Sequence, residues 1–361
     1  MYFEKTNMSG FTWLPITDQS NQFLLLYDFC NVLQKLIFFT GLLLNGYFFY
    51  RVSKASCIHV NFRIVLFCAA ISFQIMTTTH FILHIILENI RYLENRLLIN
   101  LVNLFICHLH MVAIFSSALC MNMIAVEQQL ATFFVENYEK RSGVIGVILM
   151  SIVFFQSVPT GVIYQYVVMG DDFKLDSTYN SCILTDLYPQ VGLHGFSVAL
   201  ITCTGSALWL LILRSVNKKR TRNRLNLESL SARFQQTMNS DSNASIAPSM
   251  IGYTVMALLG LIVEGARIYF INDFGSILDR AFIKLTFIIL DSYAICHALC
   301  FLLCNSATRQ QVVRDIARIF GGGKEKNYGQ VRSREEDYQL ATDTYFSQLK
   351  NAWDVKWDVK K

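Results

Sequence analysis

The chain reads as an all-α integral membrane protein: a seven-transmembrane helix bundle with its N-terminus outside and an amphipathic surface helix after the seventh span. Three observations carry this. Of 361 residues, 53% are hydrophobic and only 16% charged, and the mean hydropathy is +0.38, too apolar for a surface that meets water all round. The apolar residues gather into seven stretches of at least the length, about 20 residues, that crosses a bilayer core. The basic residues alternate from one connecting segment to the next.

The spans fall at residues 23–50, 64–87, 97–126, 143–168, 191–213, 250–271 and 281–304. No basic segment precedes the first, and its 28 residues are too long for the core of a signal peptide, so it is kept as a span. The segment before it (1–22) and the segments after spans 2, 4 and 6 hold 1, 2, 1 and 1 Lys plus Arg. The segments after spans 1, 3 and 5 and the tail hold 3, 2, 7 and 11. Basic segments stay on the cytoplasmic side, which places the N-terminus outside. The sequon Asn7-Met8-Ser9 fits an outside glycosylation site at Asn7; Asn243-Ala244-Ser245 matches the same pattern on the inner side and is read as chance.

The remaining segments follow from that topology. Nine of the ten cysteines lie in or beside apolar helices, where cysteine behaves as a small hydrophobe. The exception, Cys182, follows the fourth span, and its candidate disulfide partner is Cys107, about a turn deeper in the outer part of the third. Residues 214–249 form a third inner loop that opens on the basic run "RSVNKKRTRNR". In the region 305–361, Val312, Val313, Ile316, Ala317 and Phe320 fall on one helical face and Arg314 and Arg318 on another, the pattern of a helix lying on the bilayer surface. The tail beyond it is polar.

Enzyme signatures are missing: there is no phosphate-cradling glycine loop, no HExxH and no CxxC. The chain reads as no enzyme, with no cofactor, no metal and no nucleic-acid partner. The histidines at 80 and 84 share a helical face, and His108 lies midway down the third span, but no cysteine or carboxylate completes a ligand set. Charge is unevenly spread. Spans 2 to 5 hold none, whereas span 1 has Asp28 and Lys35, span 6 has Glu264 and Arg267, and span 7 has Lys284 and Asp291. Intramembrane charge is costly and is normally paired or faces water. The six are either structural ion pairs or one wall of a polar ligand pocket whose other wall is His80, His84 and His108; the pairs considered are Lys35 with Asp291, and Glu264 with Lys284 or Arg267.

These features together resemble a G-protein-coupled receptor. Three short stretches resemble the nematode serpentine chemoreceptors of the group joining classes alpha, beta and epsilon, with class epsilon the nearest. They are "WLPI" (13–16), "EQQLATFFVENYEKR" (127–141), similar to a family pattern E-R-x-x-A-T followed by Y-E, and "SLSARFQ" (229–235). Gln128 stands where the family usually has arginine, and Met238-Asn239 where Glu-Asn is expected, so the segment resembles a coupling element with its charged latch weakened. The resemblance implies that an external small molecule shifts a two-state bundle and that a heterotrimeric G protein reads the shift. Glu127, Gln128, Tyr138, Glu139 and Arg233 are its candidate coupling residues. It also implies the plasma membrane of a sensory cell, such as a neuronal cilium, with a second receptor copy as a candidate partner. The alternatives are a ligand-gated seven-helix channel of inverted topology, or a membrane transporter or enzyme. The loop charges oppose the channel, and the lack of an internal repeat opposes an inverted-repeat transporter.

Overall fold

The computed structural model describes residues 23–55, 58–89, 96–138, 143–169, 189–222, 230–271 and 276–320. Asn7, Glu139, Cys182 and the tail beyond Phe320 lie outside them. Hydrocarbon offers no water to unpaired N–H and C=O groups, so each crossing must satisfy its own backbone, which a helix does locally. The described residues are helical, with no strand among them. The helices are α1 Leu24–Lys54, α2 Val60–Asn89, α3 Arg96–Phe133, the single turn α4 Val135–Tyr138, α5 Val144–Met169, α6 Pro189–Arg222, α7 Leu230–Phe270, α8 Ile277–Cys304 and α9 Ser306–Phe320. Seven of them, all but α4 and α9, are long and apolar enough to span a bilayer. The end of the bundle where α1 begins is called upper, and the opposite end lower.

The spanning helices close a ring. α1 packs on α2 and α8, α2 also on α3, α5 and α8, α6 on α7, and α7 on α8, while α3 touches α2, α5, α6 and α7. Lipid tails are as apolar as leucine, so helices associate by close packing, and small residues mark the tightest crossings. A Cβ at Gly146 of α5 would sit 2.8 Å from the Asn61 carbonyl oxygen of α2. At the same crossing the Gly146 N–H donates to Asn61 Oδ1 at 3.1 Å. A Cβ at Gly260 of α7 would fall 2.2 Å from the Phe196 ring of α6.

Each expected span finds its helix, but the lower ends run longer. α3 continues past residue 126 to Phe133, and much of the expected inner loop 214–249 is helix, because α6 reaches Arg222 and α7 begins at Leu230. At 1.5 Å per residue α6 is about 50 Å long and α7 about 60 Å, against about 30 Å of hydrocarbon. Both therefore extend beyond the apolar layer, and the exposed Arg214, Lys218, Lys219 and Arg222 lie on the extension of α6. Pro248 lies inside α7, so the Ala244 carbonyl loses its usual donor. Asn243 is fully buried in the same helix, which agrees with reading its sequon as chance.

A second unit, Asn305–Lys361, contains α9. Asn305 Oδ1 accepts from the Thr308 backbone N–H at 3.2 Å and caps the helix start. Val313, Ile316 and Ile319 are exposed along it, and Arg318 lies 3.9 Å from Asp315.

Gly146→Ala should force α2 and α5 apart, lowering stability by about 1–3 kcal/mol. Gly195→Ala, where a Cβ meets nothing within 4 Å, should be neutral. Thermal unfolding of the purified variants compares them.

Candidate functional site

One polar cluster lies toward each end of the bundle, and a third, ionic group lies toward the upper end. In the upper one, α1, α2 and α8 converge on Lys284, which is about 10 Å along α8 from its start. Lys284 Nζ donates to Gln34 Oε1 at 3.1 Å and lies 2.9 Å from Nδ1 and 3.1 Å from Nε2 of His84. The Tyr27 ring lies 5.9 Å from the ammonium. Asp291, about two turns deeper on α8, only accepts as a carboxylate, so His80 Nδ1 donates to its Oδ2 at 3.1 Å. The Gln34 amide then donates to His80 Nε2 at 3.1 Å. His80 stacks on Phe287 with ring centres 3.7 Å apart.

His110 of α3 adjoins this group, its ring 6.1 Å from His80. Its Nδ1 donates to the Met76 carbonyl at 3.2 Å and lies 3.0 Å from Thr79 Oγ1. Its Nε2 and Asp291 Oδ1 are buried with no hydrogen-bond partner among the described residues. Such acceptors normally find one, and a donor-bearing small molecule could complete them.

Between α7 and α8 lies a separate ionic group. Arg267 is fully buried, with Nε 2.7 Å from Asp279 Oδ1 and a terminal nitrogen 3.6 Å from Glu264 Oε2. The Thr286 hydroxyl donates to Glu264 Oε1 at 2.7 Å. A Cβ on Gly192 of α6 would lie 3.1 Å from Glu264 Cδ, so glycine lets the carboxylate seat against that helix.

The structure brings together most, but not all, of the expected pocket residues. His80, His84, Lys284 and Asp291 share one network, while Glu264 and Arg267 form the second. His108 does not join them: it faces α5, where its Nδ1 lies 2.7 Å from Gln165 Oε1, and His110 takes the inward position. The expected Lys35–Asp291 and Glu264–Lys284 pairs do not form. Asp28 and Lys35 are exposed on α1, and Gln34 points inward instead. Asp279 was missed because it falls just before the apolar stretch that marked the seventh span. Cys107 is disulfide-bonded, and the cysteine it bonds lies outside the described residues. No group of three or more His, Cys, Asp or Glu could hold a metal among the described residues.

The lower cluster centres on Glu127, which is fully buried near the end of α3. Gln128 Nε2 donates to its Oε2 at 2.7 Å, and the Tyr138 hydroxyl donates to its Oε1, so the carboxylate ties α4 to α3. The Tyr138 ring lies 4.6 Å from that of His59. Burial, and next the Arg63 charge, hold His59 below the ordinary imidazole value. Gln128 thus turns to its neighbour within α3. The crossing is made by other residues. Asn239 Nδ2 of α7 donates to the Ala131 carbonyl at 2.6 Å, and Asn217 Nδ2 of α6 donates to Thr132 Oγ1 at 2.9 Å. Gln236 Nε2 donates to Asn217 Oδ1 at 3.1 Å, and Arg220 donates to the Thr132 carbonyl at 2.7 Å. Arg233 is half-buried in the first turn of α7, its carbonyl accepting from the Thr237 hydroxyl at 3.1 Å.

Arg267→Met should strand two buried carboxylates and lower stability by about 3–5 kcal/mol. Lys35→Ala, at an exposed position, should leave the melting temperature unchanged.

The family model of the serpentine type 7TM GPCR receptor class ab chemoreceptors matches residues 19–354. This is the group that the motifs at 13–16, 127–141 and 229–235 resemble; the matching class is ab, and class epsilon is not specified. No individual curated protein gives a match. With seven bilayer-spanning helices and a match over nearly its whole length, the chain belongs to the serpentine class ab chemoreceptor family of seven-helix receptors.

Proposed function

We propose that this chemoreceptor detects an external small molecule at the upper cluster and signals to a heterotrimeric G protein at the lower end, from the plasma membrane of a sensory cell such as the ciliary membrane of a neuron. The observation that carries the reading is that α3 and α7 each contribute to both ends. α7 holds Glu264 and Arg267 above and Gln236 and Asn239 below; α3 holds His110 above and Glu127, Ala131 and Thr132 below. A ligand that binds one packing of α3 against α7 better than the other shifts the population by the ratio of its two affinities. The lower tie is built mostly from side-chain amides, with the Thr132 hydroxyl and the Arg220 guanidinium beside them, its neutral bonds each worth about 1 kcal/mol net, so it opens without stranding a buried ion pair.

The reading takes the upper end as external, in keeping with the basic segments that follow the odd-numbered spans. It takes Cys182 as the partner of Cys107, because seven other cysteines are free thiols and Cys57 stands in the sequence between Lys54 and Val60, which lie at the lower end. Asn7 is then an external glycosylation site, and Glu139 and Arg233 belong with the coupling segment.

An epitope after Met1 should label on intact cells and one after Lys361 only after permeabilisation; the reverse pattern would favour the inverted channel. In cells reporting calcium or cyclic nucleotides against a panel of volatile and soluble chemicals, Asp291→Asn or Glu264→Gln should shift the concentration for half-response by about tenfold or more at normal surface level. Loss of both variants from the surface would instead make the carboxylates purely structural. Asn239→Leu should raise ligand-independent signalling several-fold, and an unchanged basal level would remove the tie to Ala131 from the mechanism.

A further inference from the structure

Gln156 is the thirteenth of the 26 residues of α5, so it lies near the middle of the helix and of the bilayer. It is exposed on the outward face of the bundle, which in a membrane is the face toward lipid. Neighbouring polar groups on that helix satisfy themselves. The Ser151 hydroxyl donates to the Val147 carbonyl at 2.9 Å, and the Thr160 hydroxyl to the Gln156 carbonyl at 2.6 Å. The Gln156 side-chain amide has no such partner among the described residues. Beside it, the Phe155 carbonyl faces Pro159, which has no N–H to return. An exposed side-chain amide and a carbonyl without its usual helical donor thus lie at one depth, beside a shallow groove of about 500 Å³ lined by Ile148, Ser151, Ile152, Phe155 and Gln156.

We propose that this face of α5 is the contact between two copies of the receptor, with the Gln156 amides meeting across a twofold axis along the membrane normal. The chemistry selects the occupant. Acyl chains offer no hydrogen bond, and a sterol hydroxyl sits at the membrane surface, whereas a second copy in the same orientation necessarily carries an amide at the same depth. Each amide has two N–H donors and an oxygen with two lone pairs, so one reaches the partner's Gln156 oxygen and the other the partner's Phe155 carbonyl. Among the described residues α5 packs mainly on α2 and α3, and Gln156 lies on its exposed face. Its apolar flanks are broad, with Phe155 73% and Ile163 60% exposed.

The test uses full-length receptor in phosphatidylcholine bilayers, with donor and acceptor fluorophores on separate copies. Dilution with lipid should show Gln156→Leu associating about tenfold more weakly than the parent, and Gln156→Asn in between. Gln156→Cys should oxidise to a covalent dimer, while Leu43→Cys, 76% exposed on the outward face of α1, should not. Equal association of parent and Leu variant, a parent monomeric at every dilution, or equal cross-linking from both cysteines overturns the proposal. A monomer whose melting temperature rises with added sterol assigns the groove to lipid and overturns it as well. Should Gln156→Leu fail to fold, the cysteine pair decides.

Discussion

A charge inside hydrocarbon must find its counter-charge or a hydrogen-bond partner within the protein, and the upper half of this bundle is arranged around that demand. Arg267 is the clearest case. One fully buried guanidinium stands between Glu264 of its own helix and Asp279 of the next, so the rotation of α7 against α8 is set by the Arg267–Asp279 pair and by the Thr286 hydroxyl on Glu264, two contacts that cannot be traded for water. The third helix of that corner follows, since only glycine at 192 leaves room for the Glu264 carboxylate beside α6. The rotations of α1 and α2 are fixed in the same way, by Gln34, His84 and His80 turning toward Lys284 and Asp291.

The spans were legible because length and hydropathy are averages along a helix, and the bilayer reads that same average. What the average discards is rotation about the helix axis. Gln34 and Lys35 are adjacent in sequence but about 100° apart on α1, so the charge that drew attention faces outward and its neutral neighbour faces in. Two residues likewise separate His108, which faces α5, from His110, which faces the cluster. Helix ends were lost for a related reason: once a helix leaves the hydrocarbon its composition turns polar, so the extensions of α6 and α7 resembled a loop. A better signal lay in the side-chain amides at 217, 236 and 239, which buried helices rarely carry without a partner.

The two ends solve the burial problem with different chemistry. Above, Arg267 is matched by two carboxylates, and that match is rigid because losing a partner leaves an ion without solvent. Below, Glu127 is the buried acid among the described residues, and Gln128 and Tyr138 occupy both its oxygens within α3 and α4. The links from α3 to α6 and α7 are mostly neutral amides whose partners are replaceable by water once the helices part. The arrangement places the stiff joint at one end of the membrane and the exchangeable one at the other.

Pro248 gives this difference a geometric outcome. Eighteen residues of α7 lie on its N-terminal side, an arm of about 27 Å that ends beyond the apolar layer. With the upper end of α7 pinned at Arg267, bending concentrates where the Ala244 carbonyl has no donor. A swing of roughly 10° at that point carries Leu230 sideways by about 5 Å, the rise of one helical turn. A displacement of well under an ångström near the pivot thus becomes, at the tip of the lever, a gap wide enough to admit a side chain.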